Sequence, residues 1–346
     1  MINIAINGFG RIGRSILRAS LLRKDMCEDI RIVAINDIHD WEILSYLLKR
    51  DSTHGALGLE VKYSQNTLKQ NTLEIEGLPP IHTLTQSNPN NLDFAALGAD
   101  IILESSGKFL DSKTLAHHCQ KGVKQKGITK VMLCASPTDD MPTFALGVNH
   151  TQYKGESIFS NASCTANALA PLCKILNQDF GIELMSFCIT HSYTNEQSLL
   201  DSVYPNDKRR SRAAAQNIIP TSTGASGTLI RLLPELKGKI AGHSVRVPVP
   251  NVLLLDITLT LSRHITTQNL HQSLIAAAQD SMKGIIDIDY NQGVSSDFIG
   301  NPHSVVFVPD LSYVLNGKMA RIMAWCDNEW GYANRVLDMA RFCVSH

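Results

Sequence analysis

Short apolar runs alternate with stretches of helical periodicity along the first half of the chain. Apolar residues at helical spacing predict helices over 14–22 and 111–122. Strands that alternate with helices predict an α/β domain with a doubly wound parallel sheet, which binds ligands at the carboxyl ends of its strands. The weakly alternating segment 58–85 predicts short antiparallel strands inserted in this sheet. The apolar runs that predict parallel strands are residues 2–7, 30–36, 99–104 and 130–135.

The second half of the chain has a different pattern. Apolar residues recur at helical spacing from Ser163 to about Asp179, and Gly181 predicts the end of that helix. Alternating segments predict strands, and these indicate a largely antiparallel sheet in an α+β domain. The predicted strands lie at 183–189, within 236–261 and at 321–325, and further helices are predicted at 269–278 and 333–344.

Composition removes several classes of function. Lysine plus arginine and aspartate plus glutamate both number 32, so net charge gives no reason to expect nucleic acid or a membrane surface as a partner. The eight cysteines are scattered without a C-x-x-C pair, which favours free thiols in a reducing compartment over a disulfide framework or a metal site. The chain starts directly in a strand pattern, and no apolar run reaches membrane-spanning length. We therefore expect a cytoplasmic protein.

A glycine motif joins the first predicted strand to the first helix. Gly8, Gly10 and Gly13 form G-x-G-x-x-G, which in this context predicts a dinucleotide site. Asp37 ends the second strand, where a carboxylate accepts from the adenosine ribose and repels a 2′-phosphate, so NAD is favoured. Without the motif, Asp37 would be a solvated residue at a strand end. Ser136 follows the strand 130–135 at the same predicted edge.

A cysteine stands at the start of the helix that follows Ser163. Unpaired N–H groups and the helix dipole favour the thiolate there, so Cys164 is predicted to be a nucleophile with a depressed pKa. His191 follows the strand 183–189 and is its candidate general base. The alternatives are a buried structural cysteine and a structural histidine.

Basic residues in the second half suggest anion binding. The polar segment 197–223 contains Arg210 and leads to Thr223-Gly224, a combination of donors that suits a phosphate oxyanion. A long polar loop is either functional or disordered, and a solvated basic face is the alternative. Arg246 lies inside an apolar strand, so it requires an anionic partner from the protein or from a ligand.

Several of these motifs, in this order, resemble the phosphorylating glyceraldehyde-3-phosphate dehydrogenases from end to end. The resemblance implies a homotetramer, with an NAD-binding domain of residues 1–163 completed by the C-terminal helix 328–346, and a catalytic domain of residues 164–327. It also implies glyceraldehyde 3-phosphate and inorganic phosphate as substrates. The matching segments are 6–14, 160–167, 191–195, 209–214, 220–225 and 327–335.

The resemblance assigns a role to each matching residue. It implies that Cys164 forms a hemithioacetal and then a thioester, with His191 as the base. It implies that Arg11 and Ile12 contact the cofactor pyrophosphate and that Asn328 fixes the nicotinamide carboxamide. Tyr332 completes the implied cofactor set with Gly8, Gly10, Gly13, Asp37 and Ser136. The implied site for the attacking phosphate consists of Ser163, Thr165, Arg210, Thr223 and Gly224, and the substrate phosphate is assigned to Thr194 and Arg246.

The chain departs from the usual pattern of that family at a few positions. Ala168 stands where a second cysteine is usual, so we expect no disulfide between Cys164 and the residue four positions later. Ser202-Val203 replaces a Leu-Pro pair common in NAD-specific members, so NADP is a possible second cofactor. Ala166 replaces a threonine and Glu196 an aspartate.

Three competing functions remain open at this stage. Erythrose-4-phosphate dehydrogenase shares the Cys/His pair, but it usually alters the segments that here read 192–195 and 221–224. A semialdehyde dehydrogenase fits the Cys/His chemistry but not the arginine-rich loop. A non-catalytic binding role has no direct support in the sequence, and no implied catalytic position is missing.

Overall fold

The computed structural model describes residues 1–26, 28–65, 71–120 and 130–345. The chain forms two compact units. The first comprises residues 1–146, 150–162 and 333–346, and the second comprises 147–149 and 163–332. Of the predicted helix 111–122, the last two residues lie outside the described residues, as does Cys27.

The first unit is built on an eight-stranded sheet with the order β10-β9-β8-β1-β2-β7-β6-β5. The pairs from β10 to β7 are parallel, and β6 and β5 add antiparallel pairs at one edge. Its helices are α1 (Arg11–Leu22), α2 (Trp41–Lys49) and α3 (Ser112–Gln120). Its strands are β1 (Ile2–Asn7), β2 (Ile30–Asn36), β3 (Arg50–Asp51), β4 (Gly55–Ala56), β5 (Val61–Gln65), β6 (Asn71–Ile75), β7 (Ile81–Leu84), β8 (Ile101–Glu104), β9 (Lys130–Leu133) and β10 (Ile158–Ser160).

This arrangement confirms the predicted doubly wound sheet. The chain proceeds from β1 to β2 on one side and returns to β8 on the other, so the carboxyl ends of β1 and β8 flank a topological switch point. The core of the unit consists of alternate strand residues such as Ala5, Ile102 and Val131, each fully buried. The glycine motif therefore lies at the sheet edge where a ligand crevice is expected.

The second unit contains a seven-stranded sheet with the order β12-β13-β11-β14-β17-β16-β15. The pairs β11/β13 and β15/β16 are parallel and the other four are antiparallel, as predicted for a largely antiparallel sheet. Its strands are β11 (Ile182–Ser192), β12 (Ile219–Thr221), β13 (Ile240–Val247), β14 (Leu253–Leu261), β15 (Ile286–Ile288), β16 (Val305–Leu315) and β17 (Met319–Cys326). The remaining helices are α4 (Cys164–Phe180), α5 (Ala225–Leu232), α6 (Thr267–Gln279) and α7 (Trp330–Ser345), and short 3-10 turns occur at Pro89–Asn91, His150–Gln152, Ala214–Gln216, Pro234–Leu236 and Ser295–Phe298.

Several elements differ from the sequence prediction. β11 extends past residue 189 through Ser192, so His191 lies within the strand and not beyond its end. β16 was not predicted, because Pro309-Asp310 interrupts its apolar run and its pairing shifts between Val308 and Tyr313. The helices α2 and α5 were also missed, although Asp40 caps α2 through the N–H groups at its start.

No helix within the described ranges is both long enough and apolar enough to cross a membrane.

Candidate active site

The glycine motif forms the turn between β1 and α1 in the first unit. Gly8 has φ +94°, and a Cβ built on it would lie 2.4 Å from Cα of Ser106, in the turn after β8. A Cβ on Gly13 would lie 2.2 Å from the carbonyl oxygen of Gly8, whereas one on Gly10 meets no atom within 4 Å. Gly8 and Gly13 therefore permit close backbone packing, and Gly10 leaves the space beside the start of α1 open. Ile12 lies in the first turn of α1, where backbone N–H groups suit an anion.

Asp37 follows β2 and is hydrogen-bonded to the turn that the glycine motif forms. Its Oδ2 accepts a hydrogen bond from Phe9 N at 2.7 Å, and its Oδ1 contacts Nδ1 of His39 at 2.6 Å. Burial raises the pKa of Asp37, but the Phe9 N–H and the bonds from His39 outweigh burial and lower it. Asp37 is therefore an anionic acceptor at the predicted ribose position, and His39 is a neighbour that the sequence analysis missed.

The side chain of Arg11 has a partner that sequence reasoning did not identify. Its Nη1 lies 2.5 Å from Oδ2 of Asp51. Burial alone would raise the pKa of Asp51, but the His54 N–H and the Arg11 guanidinium lower it to about 2. The loop from Asp51 to Gly55 carried no predicted chemistry, yet it holds the guanidinium of a residue in the glycine motif.

A buried chain of hydrogen bonds connects four adjacent strand ends at this edge. Glu104 at the end of β8 is fully buried and accepts from Nδ2 of Asn7 at 2.5 Å and from the N–H of Ser106 at 2.9 Å. Asn7 accepts in turn from Asn36 at 2.8 Å, and Asn36 accepts from the N–H of Gln86, beyond β7, at 2.9 Å. Ser136 follows β9 at the same edge. The hydrogen bonds of Glu104, Asn7 and Asn36, none of them predicted, fix the turns around the glycine motif.

The second unit contains the predicted nucleophile at the first residue of α4. Ser163 is the N-cap, and its Oγ accepts from the N–H of Ala166 at 3.3 Å, which confirms the predicted helix start. Sγ of Cys164 lies 3.9 Å from Oγ1 of Thr165. The predicted direction of the pKa shift was wrong, because burial raises the pKa of Cys164 and the opposing effects of Thr165 and Arg246 do not offset it. The thiol therefore depends on neighbouring groups to lose its proton.

His191 lies in β11 beside Arg246 of β13. The two residues are register partners in the parallel pair, and Leu253 of β14 pairs with His191 on its other side. Nδ1 of His191 lies 2.8 Å from the carbonyl oxygen of Ser192 and 2.7 Å from Nη1 of Arg246. Burial, with the charge of Arg246, lowers the pKa of His191 to about 3. His191 is therefore neutral near pH 7 and can accept a proton.

Arg246, predicted to require an anionic partner, is partly buried in β13. Its Nη1 donates to the carbonyl oxygen of Ser192 at 2.9 Å, and its Nε is buried without a hydrogen-bond partner. Burial lowers the pKa of Arg246. The charges of Cys164 and Glu196 act to raise this pKa, and the charge of Arg210 acts to lower it further. Arg246 is thus within electrostatic reach of the nucleophile and of a second guanidinium group.

Arg210, Thr223 and Gly224 lie in or beside the loop before α5. Nε of Arg210 donates to Oγ1 of Thr221 at 2.9 Å. Thr223 accepts from the N–H of Ala225 at 3.2 Å, and Gly224 is the N-cap of α5. Thr194 donates to Oε1 of Gln197 through both its N–H and its hydroxyl, at 2.8 and 3.1 Å. Gln197, which was not predicted as a site residue, orients this threonine.

Asn328 and Tyr332, the last predicted cofactor residues, are both buried. Oδ1 of Asn328 accepts from Oγ of Ser192 at 3.3 Å, which orients its amide nitrogen away from that hydroxyl. Tyr332 is 1% exposed and lies in the first turn of α7. Among the side chains of the described ranges, no group of three or more His, Cys, Asp or Glu residues could hold a metal ion.

Comparison with known proteins gives full-length matches. One family model, described as the NAD binding domain of glyceraldehyde 3-phosphate dehydrogenase, matches residues 2–112. A second, described as the C-terminal domain of the same enzyme, matches residues 163–328. The two models together cover most of both compact units.

Proteins named glyceraldehyde-3-phosphate dehydrogenase match over nearly the whole chain. The one from Helicobacter pylori (strain J99) is 46% identical over 339 residues, covering 98% of each chain. Those from Geobacillus stearothermophilus and Nostoc sp. are 40% and 42% identical, with 98% or more of this chain and 98% of each relative covered. The chain therefore belongs to the glyceraldehyde-3-phosphate dehydrogenase family.

Proposed function

We propose that this protein oxidises D-glyceraldehyde 3-phosphate to 1,3-bisphosphoglycerate with reduction of NAD. The observation that carries the proposal is the grouping of Cys164, at the start of α4, with the neutral His191 and two guanidinium groups in one unit. A nucleophile, a proton acceptor and two anion-binding side chains are the parts that this reaction requires.

Each catalytic residue has a defined task. Cys164 adds through Sγ to the aldehyde carbon, and the result is a hemithioacetal. His191 accepts the proton of the hemithioacetal hydroxyl as the carbonyl forms. NAD, when bound, supplies the hydride acceptor that makes this oxidation possible. The resulting thioester on Cys164 is attacked by inorganic phosphate, which releases the acyl phosphate and the thiol.

Two sets of hydrogen-bond donors are assigned to the two phosphate groups of the reaction, the one on the substrate and the attacking inorganic phosphate. Arg246 and Thr194 bind the phosphate of the substrate, because the Nε of Arg246 is buried and lacks an acceptor. The attacking phosphate is bound near the nucleophile and the loop before α5. The residues assigned to it are Ser163, Thr165, Arg210, Thr223 and Gly224.

The first unit is assigned to cofactor binding. Gly8, Gly10, Arg11, Ile12 and Gly13 bind the pyrophosphate at the start of α1, since a Cβ on Gly10 would meet open space. Asp37 accepts from the ribose, which favours NAD over NADP. Ser136 completes the set within this unit. Val203 is 94% exposed at the position where NAD-specific relatives often carry proline, so slow turnover with NADP is part of the proposal.

Exposed apolar side chains support self-association of the chain, and we propose a homotetramer in the cytoplasm. Exposed large apolar residues mark interaction surfaces when they cluster. Leu184, on β11, is 61% exposed, and four further apolar residues in the segment 197–218, which precedes β12, are 71% exposed or more. The described cysteines are all free thiols, as expected in a reducing compartment. The four loop residues are Leu199, Leu200, Val203 and Ile218.

The test is the initial rate of reduced-cofactor formation from glyceraldehyde 3-phosphate, with and without inorganic phosphate. Sustained turnover that requires phosphate and is faster with NAD than with NADP supports the proposal. Turnover indifferent to phosphate, or faster with erythrose 4-phosphate, contradicts the roles of Arg210 and Thr223. Light scattering after size exclusion tests the tetramer separately.

A further inference from the structure

His39 is hydrogen-bonded to the carboxylate that follows β2. Its backbone N–H donates to Oδ1 of Asp37 at 3.0 Å, and its ring atom Nδ1 lies 2.6 Å from the same oxygen. The side chain of Asp37 is 10% exposed, whereas that of His39 is 72% exposed. His39 is therefore a solvent-exposed group that is fastened to a largely covered carboxylate.

Three N–H groups share the negative charge of Asp37. An ionised carboxylate can only accept hydrogen bonds, so Nδ1 of His39 carries a proton and donates it to Oδ1. The backbone N–H of His39 donates to the same oxygen, and the backbone N–H of Phe9 donates to Oδ2 at 2.7 Å. Two of these donors belong to the main chain. The imidazole is therefore the donor that a substitution can remove.

The imidazole changes how Asp37 discriminates between two forms of the cofactor. A free carboxylate at this position accepts from the ribose 2′-hydroxyl of NAD and repels the 2′-phosphate of NADP. A donor at 2.6 Å occupies part of the accepting capacity of Oδ1 and reduces the negative potential outside that oxygen. The first effect weakens the bond to the 2′-hydroxyl, and the second weakens the repulsion of the 2′-phosphate.

We propose that His39 is a specificity-determining residue, which screens the charge of Asp37 and thereby admits the 2′-phosphate of NADP. The inference rests on the proposed function for the position of the adenosine ribose at Asp37. It concerns the first unit alone and does not depend on Ser202-Val203 in the second unit. Asp37 stays in place, so NAD still binds through the carboxylate, but with less discrimination than an unscreened carboxylate would give.

The measurement is the ratio of the dissociation constants for NADP and NAD, obtained by calorimetric titration of the full chain. Both titrations use the same pH and ionic strength, and the ratio cancels changes in the groups that the two cofactors share. His39→Leu should raise this ratio about two- to fivefold, the range expected for an exposed charged contact. His39→Asn retains an N–H donor near the position of Nδ1 and should raise the ratio less. An unchanged ratio in His39→Leu overturns the proposal.

Two further comparisons test whether the effect acts through Asp37. With Asp37→Asn already present, His39→Leu should leave the ratio unchanged, because no carboxylate charge remains to be screened. An increase of the same size in that background contradicts the mechanism. His264→Leu removes an exposed imidazole from the second unit and should bind both cofactors with the ratio of the unmodified protein. An equal rise in His264→Leu contradicts the assignment to His39.

Asp37→Asn alone separates this inference from the proposed function. An unchanged ratio in Asp37→Asn would show that the ribose lies elsewhere, and it would refute both the proposed cofactor site and the role of His39. A lower ratio in Asp37→Asn, together with no effect of His39→Leu, would leave the proposed cofactor site intact and refute the role of His39 alone.

Discussion

Alanine at the three motif glycines should separate folding from cofactor binding. Gly8 has φ +94°, and its added Cβ would lie 2.4 Å from the backbone of Ser106. The left-handed conformation costs about 1–2 kcal/mol for an L-residue. Overpacking against backbone adds about 1–3 kcal/mol. Gly8→Ala should therefore lose about 2–5 kcal/mol of unfolding free energy, on the order of a third of the stability of a typical domain.

Gly13 and Gly10 provide the comparison within the same turn. Gly13→Ala should also destabilise, because its Cβ would lie 2.2 Å from the carbonyl oxygen of Gly8. At position 10 the added Cβ would meet no atom within 4 Å, and φ is not positive. Gly10→Ala should therefore change the free energy of unfolding by less than about 1 kcal/mol. The added methyl group would instead occupy the space where the backbone approaches the pyrophosphate, and NAD affinity should fall.

Two measurements on each variant decide the matter. Urea unfolding without NAD, at one fixed protein concentration because assembly contributes to stability, gives the change in unfolding free energy. Calorimetric titration with NAD gives the affinity. A wild-type urea midpoint for Gly8→Ala would refute the argument from close backbone approach. Wild-type NAD affinity in Gly10→Ala would place the pyrophosphate elsewhere.

Three further predictions concern single side chains. Cys164→Ser should abolish acyl-phosphate formation while NAD binding is retained, and residual phosphate-dependent turnover would exclude Cys164 as the nucleophile. The pKa of His191 falls from 6.5 to about 3 on folding, so the unfolded chain binds more protons between these values. The free energy of unfolding should therefore decline as the pH falls below 6.5. His191→Asn should flatten this pH dependence of the urea midpoint, and an unchanged slope would contradict the buried neutral ring. The pKa of Asp51 is lowered from 3.8 to about 2, so its stabilisation is present above 3.8 and is lost below it. Asp51→Asn should therefore unfold at a lower urea midpoint at pH 7, with a difference that shrinks below pH 3.8, and an equal midpoint at pH 7 would show that the pair with Arg11 adds no stability.

Much of the fold is predictable because its signals are local. The strand, glycine turn and helix at 2–22 follow from apolar spacing and from three glycines within six positions. The start of α4 follows from Ser163, whose side chain caps the helix that its sequence position indicates. The sheet class follows from the alternation of such segments, since parallel strands require crossover connections. β16 shows the limit of this approach, because one proline and one acidic residue inside a strand remove its local signal.

Features of the site that depend on strand register could not be predicted. No local pattern pairs His191 with Arg246, which is 55 positions later and becomes its neighbour through the parallel pair of β11 and β13. The partner of Arg11 in the loop after α2 is non-local in the same way. The direction of the pKa shift of Cys164 also depends on packing, because burial outweighs the favourable effects of its local surroundings.

The row of register partners that contains His191 explains how a buried histidine can serve as a base. Burial of the ring and, secondarily, the positive charge of Arg246 lower the pKa of His191 to about 3, against a raising contribution from the Ser192 backbone. A base with so low a pKa is inefficient near pH 7. An anion that pairs with Arg246 cancels the second contribution, which raises the pKa of His191 towards its ordinary value while the ring stays neutral. The base therefore becomes stronger when a phosphate group binds to Arg246.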